Sequence, residues 1–426
     1  MQKNRFLLKS KTEHSDKSSF FWYSLGGLFN AGQSALLLMV ISRTNSPEDA
    51  GIYSIGYAIA CLALTVGNFG IRNYQATDVN HRYSFENYFS VRVITDFFML
   101  LVVVVYMIRG FLYLGYSQEK CIVILLLGLL KIVDSIEDVF HGMFQCQGRL
   151  DIAGKCMATR LILMLITFSI SLSFSHNLVI SALIAFAFSL AYFIIITYNV
   201  FPMFNEKFRI RVFDRDNYRV CIECISLFAG SFLAIYIANA PKYAIDEFCT
   251  EIEQAQFNYI FMPVYVVNVL NSFIYQPVLT KMALYYEKKD KKKFLSLFVK
   301  QIIIILGLVI SILLVGYLLG IPILNIFYNT DLNELKGPFM ILLIGSGFLA
   351  TEGYIAAILT IMRKQNWLLI GYVSSAILAL LFSRRVILQN GIMGAACLYS
   401  GIVFVQMLIF SILFLIFYKK YSKINK

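Results

Sequence analysis

Apolar residues in this chain run in long unbroken blocks, and they do not alternate with polar ones. The stretch 177–200, NLVISALIAFAFSLAYFIIITYNV, contains no charged residue. A helix that is apolar on every side belongs in lipid or deep inside a large assembly, not on an ordinary protein surface. About 20 such residues cross a ~30 Å hydrocarbon core. Twelve blocks of this kind are read along the chain, at 20–42, 51–70, 89–109, 119–140, 152–175, 177–200, 218–239, 256–278, 299–320, 338–361, 367–384 and 391–418. The expected fold class is an all-α integral membrane protein with twelve transmembrane helices, arranged as two six-helix bundles.

Composition agrees, because 59% hydrophobic and 15% charged residues with a mean hydropathy of +0.70 exclude an ordinary soluble domain of 426 residues. Lys and Arg collect at alternate ends of the blocks, above all in 205–219 (NEKFRIRVFDRDNYR) and 281–293 (KMALYYEKKDKKK). Translocated loops near a span carry few such residues, so both termini are expected on the cytoplasmic side. The other set of loops is short and often acidic, as in SPEDA and IDEFCTEIE. A net charge of +12 then reflects topology and attraction to anionic membrane lipids. In that reading Lys288, Lys289, Lys291, Lys292 and Lys293 form a solvated topology signal. The first block is expected to serve as an uncleaved signal anchor. No basic soluble domain with interleaved aromatics is present, so no nucleic-acid partner is expected.

Domain organisation follows the blocks: a cytoplasmic segment 1–19, a bundle 20–200, a basic linker 201–217, a second bundle 218–418 and a tail 419–426. The halves repeat some charges. Arg43 and Lys242 close the first span of each half, Arg92 and Lys300 open each third span, Glu137 and Glu352 lie within each fourth span, and Arg149 and Lys364 end those spans. Parallel repeats of this kind are common in transporters.

The fourth block, LLKIVDSIEDVFHG, places Lys131, Asp134, Glu137 and Asp138 within two turns. An unpaired charge at mid-bilayer costs about 2.5–3.5 kcal/mol on insertion scales. Lys131 and Asp134 are three apart, as are Asp134 and Glu137, so they share a face and can pair. That face should avoid lipid, and its groups can bind polar groups of a cargo, a proton or a sodium ion. The alternative is that Glu137 and Asp138 sit at the cytoplasmic interface and are hydrated.

NAPKYAIDEF at 239–248, continuing through EIEQAQFNYIFMPVYVVNVLNSFIYQP, resembles the stretch after the seventh helix of bacterial oligosaccharide-lipid flippases. These exporters of capsular or O-antigen repeat units belong to the multidrug/oligosaccharidyl-lipid/polysaccharide exporter superfamily. RTNSPEDAGIYSIG resembles that family's first exterior loop, and GMFQCQGRLDIAGK its loop between helices four and five. Ala255 stands where a glycine often precedes the eighth helix. The resemblance implies two bundles around a central cavity that opens alternately to each side. It also implies a polyprenyl-diphosphate oligosaccharide as substrate, with a polysaccharide polymerase and glycosyltransferases as partners. Such a cargo cannot cross hydrocarbon unaided, because its polar groups would lose water without replacement.

Within that reading, Pro241 is expected to end or kink the seventh helix and leave Lys242 at its exterior mouth. Lys242 and Arg43 are scarce exterior cations at matching places, suited to a diphosphate as point charge and bidentate fork. The alternative is that both snorkel to lipid heads. Arg72, Arg92 and Lys300 are the other diphosphate candidates. Asn30, Gln33, Asn68, Asn258, Asn268 and Asn271 are hydroxyl partners for the cargo or polar joints between helices. Lys131, Asp134, Glu137 and Glu352 are the candidates for coupling or cavity contacts.

No P-loop or H-E-x-x-H motif occurs, and the four histidines, His14, His81, His141 and His176, are scattered. No cofactor or metal is expected, and the chain is not read as an enzyme. Cys221 and Cys224 form a C-x-x-C without a second pair, which reads as helix packing. DRD at 214–216 lacks the α/β domain that a sugar-nucleotide site needs. Two rival functions are a membrane glycan polymerase or ligase, which usually carries a long exterior loop, and a drug or cation exporter of the same fold.

Overall fold

The computed structural model describes residues 16–78, 82–204 and 206–423, so that His14, His81 and most of the expected N-terminal segment lie outside it. All regular structure among the described residues is helical. In chain order the helices are α1 (Asp16–Thr44), α2 (Pro47–Asn68), α3 (Ile71–Thr77), α4 (Phe85–Tyr113), α5 (Gln118–Cys146), α6 (Leu150–Ser175), α7 (Leu178–Val200), α8 (Arg215–Phe248), α9 (Glu251–Glu287), α10 (Lys291–Val315), α11 (Ile321–Tyr328), α12 (Lys336–Ile361) and α13 (Leu368–Lys423). A π-helical turn, Gly316–Gly320, joins α10 to α11.

Ten helical stretches among the described residues are long and apolar enough to cross a membrane. Two causes separate that number from the twelve blocks in the sequence. The fourth block becomes α5, as long as its neighbours but carrying Lys131, Asp134, Glu137 and Asp138. The eleventh and twelfth blocks run together as α13, interrupted at Gly391, whose φ of 51° and ψ of −130° suit a residue without a Cβ.

Helix ends differ from the sequence reading where local chemistry extends them. SPEDA is not a loop: Ser46 caps α2 by accepting from the Asp49 amide, Pro47 takes the first helical position, and Glu48 and Asp49 lie in the first turn. Likewise Thr250 and Glu253 form a reciprocal capping box that starts α9 inside the acidic stretch. Pro241 neither ends α8 nor puts Lys242 at its end; the helix continues to Phe248. Pro263 and Pro277 are carried within α9 in the same way. A proline inside a helix leaves one carbonyl without its amide, for Pro241 that of Ile237, and membrane helices satisfy such carbonyls from neighbouring groups.

The chain divides into two compact units between Phe232 and Leu233, inside α8. The first half of α8 is tied to the first unit by Glu223. Its carboxylate accepts from the Tyr74 phenol on α3, from Arg82 Nη1 at 3.1 Å and from the Tyr83 phenol at 3.3 Å. Burial first, and then the neighbouring carboxylate, raise the Tyr74 phenol above its ordinary pKa, so that it stays a donor. Phe69, in the left-handed region at the end of α2, stacks on Phe228 with centroids 4.6 Å apart.

Within the first unit α1 packs on α6, α2 on α5 and α4, and α5 on α7. An aromatic core gathers Phe85, Phe89, Phe140, Phe144 and Tyr88 with Cys224, a free thiol like Cys221. In the second unit α12 packs on α9, α10 and α13 around Phe294, Tyr354, Phe410 and Phe414.

The α1–α6 crossing depends on glycine. A Cβ on Gly154 would lie 2.4 Å from the Tyr23 amide nitrogen and 2.5 Å from the Trp22 carbonyl carbon, both immovable backbone atoms. Small residues let membrane helices approach this closely. Replacing Gly154 by leucine should therefore force α1 off α6 and destabilise the protein by about 1–3 kcal/mol. Thermal unfolding in detergent checks this, with Gly27→Leu as the control, since a Cβ at Gly27 meets nothing within 4 Å.

Candidate functional site

One face of α5 carries the polar interior of the first unit. Lys131 Nζ donates to Asp134 Oδ2 at 2.7 Å and lies 4.9 Å from the Tyr57 ring centre. Arg160 on α6 grips two carboxylates: its Nη2 reaches Asp134 Oδ1 at 2.5 Å and its Nε reaches Glu137 Oε2 at 2.9 Å. Arg160 Nη1 donates to Ser189 Oγ on α7 at 2.8 Å. Two cations and two carboxylates thus close on each other, with Lys131, Arg160 and Glu137 buried. Glu137 is paired and sealed, not hydrated at an interface. His141 Nε2 lies 3.7 Å from Glu137 Oε1, too far for a hydrogen bond.

A second group shares the helix. Arg92 on α4 is fully buried, eight positions into its helix and not at the helix start. Its Nη1 donates to Gly67 O at 2.8 Å, to Asn68 Oδ1 at 2.7 Å and to Ser135 Oγ at 3.0 Å, and its Nη2 to Asp138 Oδ2 at 3.1 Å. Ser135 Oγ in turn donates a hydrogen bond to Asp96 Oδ1 at 2.5 Å. Arg72 on α3 donates to Asp138 Oδ1 at 2.9 Å and to the Tyr23 phenol at 3.0 Å. Gly67 has no room for a Cβ, which would meet Asp96 Oδ1 and Ser135 Oγ at 2.7 Å.

Other polar residues singled out in the sequence lie apart from these groups. Gln33 Nε2 donates to Asn30 Oδ1 at 2.9 Å on α1; Gln33 is buried and Asn30 exposed. Arg43 is exposed in the last turn of α1. In the second unit Asn271 on α9 is buried and donates to Ala350 O on α12 at 2.8 Å, while Asn258 spends its amide on Gln254 O. Glu352 on α12 is buried and accepts from Gln406 Nε2 on α13 at 3.0 Å. Asn268 and Lys300 are exposed.

Lys242 corrects the sequence expectation most clearly. It is 4% exposed, a turn and a half short of the end of α8. Its Nζ lies 4.9 Å from the Phe261 ring centre, 5.3 Å from that of Tyr265 and 3.4 Å from the Tyr265 hydroxyl. Arg43 and Lys242 belong to different units.

The sequence reading missed Arg160, Asp96, Ser135, Ser189 and Gln406. Three of these carried a usable signal: a lone charge or amide within an apolar run, in CMATRLILML, VITDFFML and FVQMLIF. An ionisable residue inside a span requires a partner. Serine hydroxyls at packed helix faces give no such signal.

No family model matches the chain. The capsular polysaccharide biosynthesis protein CapF of Staphylococcus aureus is 25% identical over 391 residues, covering 89% of this chain and 94% of that protein. Among solved structures, an inward-facing multidrug resistance MATE family transporter of the MOP superfamily superposes with a TM-score of 0.65 at 14% identity. It covers 99% of this chain and 98% of its own. A MATE in complex with MaL6 gives 0.58 at 14% identity, covering 100% and 99%. A MOP superfamily transporter from Pyrococcus furiosus gives 0.56 at 14% identity, covering 100% and 99%. The chain is therefore a multi-pass helical membrane protein with the fold of the MOP-superfamily transporters. The superfamily's fold is the one that the resemblance in sequence implied, and the relative of nearly full length is named for capsular polysaccharide biosynthesis.

The Arg160 arrangement has a direct energetic consequence. Removing one partner of a buried ion cluster costs about 3–5 kcal/mol, because the charges left behind are uncompensated. Arg160→Ala should lower the thermal midpoint far more than Arg43→Ala on the exposed end of α1, and the Glu137→Gln/Arg160→Ala double variant should recover part of the loss.

Proposed function

We propose that the protein is a flippase that carries a polyprenyl-diphosphate-linked oligosaccharide from the inner to the outer leaflet for surface polysaccharide synthesis. The observation that carries this reading is the likeness to a capsular polysaccharide biosynthesis protein along nearly its whole length. Twelve crossings, with α5 as the fourth and α13 folded at Gly391 into the last two, give two six-helix bundles around a central cavity that alternates its access. Both termini then face the cytoplasm of a bacterial plasma membrane, 201–217 links the bundles, and a polymerase and glycosyltransferases act before and after transport. Arg43 and Lys242 hold the diphosphate on the exterior side. Glu352, lodged against Gln406, serves coupling or cavity contacts.

Export of a drug or cation is the second reading, favoured by the several MATE structures that share the fold. A fold is compatible with many cargoes, so fold alone does not choose between these readings. Interior charge does not choose either, since the first unit sets Asp96, Asp134, Glu137 and Asp138 against Arg72, Arg92, Lys131 and Arg160.

Deletion of the gene in a host without a paralogue should abolish surface polysaccharide, with lipid-linked repeat units accumulating on the inner leaflet; extrusion of a fluorescent cationic dye should be unchanged. Normal surface polysaccharide together with lost dye extrusion selects the drug-exporter reading instead. For the diphosphate contacts, Lys242→Ala and Arg43→Ala should each cut export about ten-fold or more at equal membrane abundance, and Arg43→Lys should retain part of it, since an ammonium lacks the guanidinium fork. Normal export by the Arg43→Ala/Lys242→Ala double variant would place the diphosphate elsewhere.

A further inference from the structure

Asp138 stands between two guanidiniums and gives one oxygen to each: Oδ1 to Arg72 at 2.9 Å and Oδ2 to Arg92 at 3.1 Å. The two arginines are not equivalent. Arg92 is fully enclosed and bound to Gly67 O, Asn68 and Ser135 besides, so it is fixed in the bundle. Arg72 is partly open, at 17% side-chain exposure, and its other partner is the neutral Tyr23 phenol; Asp138 is 21% exposed. The node therefore opens on the side of Arg72. Two full positive charges meet one carboxylate there, with the next acid, Asp96, one hydroxyl away through Ser135.

We infer that Arg72, Arg92 and the Tyr23 phenol form a subsite for a diphosphate, whose place is held in this structure by the Asp138 carboxylate. This rests on the cargo proposed above. Guanidiniums pair with phosphate as with carboxylate, through paired charge-assisted hydrogen bonds. A diphosphate brings more charge and more acceptor oxygens than a carboxylate, enough to engage both guanidiniums and the phenol together. Asp138, on a short side chain with a partly exposed carboxylate, turns outward and is hydrated when displaced. Its role is to neutralise the arginines between cargoes, since buried cations without a partner are costly, and to return when the cargo leaves.

The position suits a loading step. Arg43 lies in the last turn of α1, α2 begins four residues later, and Arg72 follows just beyond the far end of α2. A helix of 22 residues spans ~33 Å at 1.5 Å per residue, so the two cations stand about one membrane thickness apart within one unit. A resident counter-ion at one end keeps binding there reversible, which a transporter needs in order to pass its cargo on.

Binding of geranylgeranyl diphosphate to the purified full-length protein in detergent tests the inference, with geranylgeraniol as the uncharged control. Asp138→Asn, which removes the competitor, should bind the diphosphate about ten-fold more tightly than wild type, and Arg72→Gln about ten-fold more weakly. Combining Arg72→Gln with Asp138→Asn should erase the gain. Equal or weaker binding by a folded Asp138→Asn variant, or a gain that survives Arg72→Gln, overturns the inference; equal binding leaves the cargo reading standing. Binding of a cationic dye with no binding of the diphosphate by any variant overturns both. Where Asp138→Asn yields no folded protein, Tyr23→Phe decides, because it leaves both ion pairs in place. It should weaken diphosphate binding about three-fold with the thermal midpoint unchanged, and unchanged affinity refutes the subsite.

Discussion

A charge taken into a helical membrane protein has to find its counter-charge inside the protein, and α5 is where this chain meets that demand. With lipid in place of water, neither Lys131 nor Arg160 gains anything from solvent, so each is held by carboxylates within hydrogen-bonding distance. The consequence is architectural. Asp134 and Glu137 pull α6 against α5 through Arg160, and Ser189 brings in α7. On the adjacent face Asp138 and Ser135 draw in α4 through Arg92 and α3 through Arg72. Apolar helices have little reason to prefer one neighbour over another in lipid, and these directional contacts supply the preference.

The glycines complement the charges. Gly67 admits Asp96 and Ser135 to the ladder of α2, and Gly154 lets the backbones of α1 and α6 touch. Where an ion network fixes which helices meet, the missing side chains fix how closely. The second unit has fewer charges in its interior and is organised by aromatic packing, with the Phe298–Phe414 and Tyr259–Tyr328 stacks at 4.2 and 4.3 Å and single polar joints such as Asn271 to Ala350 O.

On the flippase reading proposed above, this unequal division of polar groups bears on transport. A carrier of a diphosphate with sugars attached must offer cations that are available and yet not orphaned when no cargo is bound. Arg72 beside Asp138 meets both conditions, as a partly open cation with an internal partner. Lys242 is buried and meets only the second, lying against the faces of Phe261 and Tyr265, where ring electrons offset part of the cost of burial.

Much of this was legible in the chain itself. Length and uniformity of the apolar blocks determined that the fold is helical and membrane-embedded, because only a helix satisfies its backbone within one segment in lipid. The three-residue spacing of Lys131, Asp134 and Glu137 determined that they share a face. Local chemistry also held more than the apolar pattern suggested: Ser46–Pro47 and Thr250–Glu253 encode helix starts, which is why Glu48 and Asp49 lie in the first turn of α2 and Glu251 and Glu253 in that of α9. What only the tertiary structure decided is which groups from distant segments meet. Arg160 comes to Asp134 and Glu137 from a separate helix, and Asp138 lies between Arg72 and Arg92. Pro241 looked like a terminus, yet α8 continues through it and buries Lys242 among aromatic side chains of α9. The physical reason is common to these cases: in lipid a polar side chain takes the partner that packing brings near, and packing depends on the shapes of whole helices, which no short stretch of sequence contains.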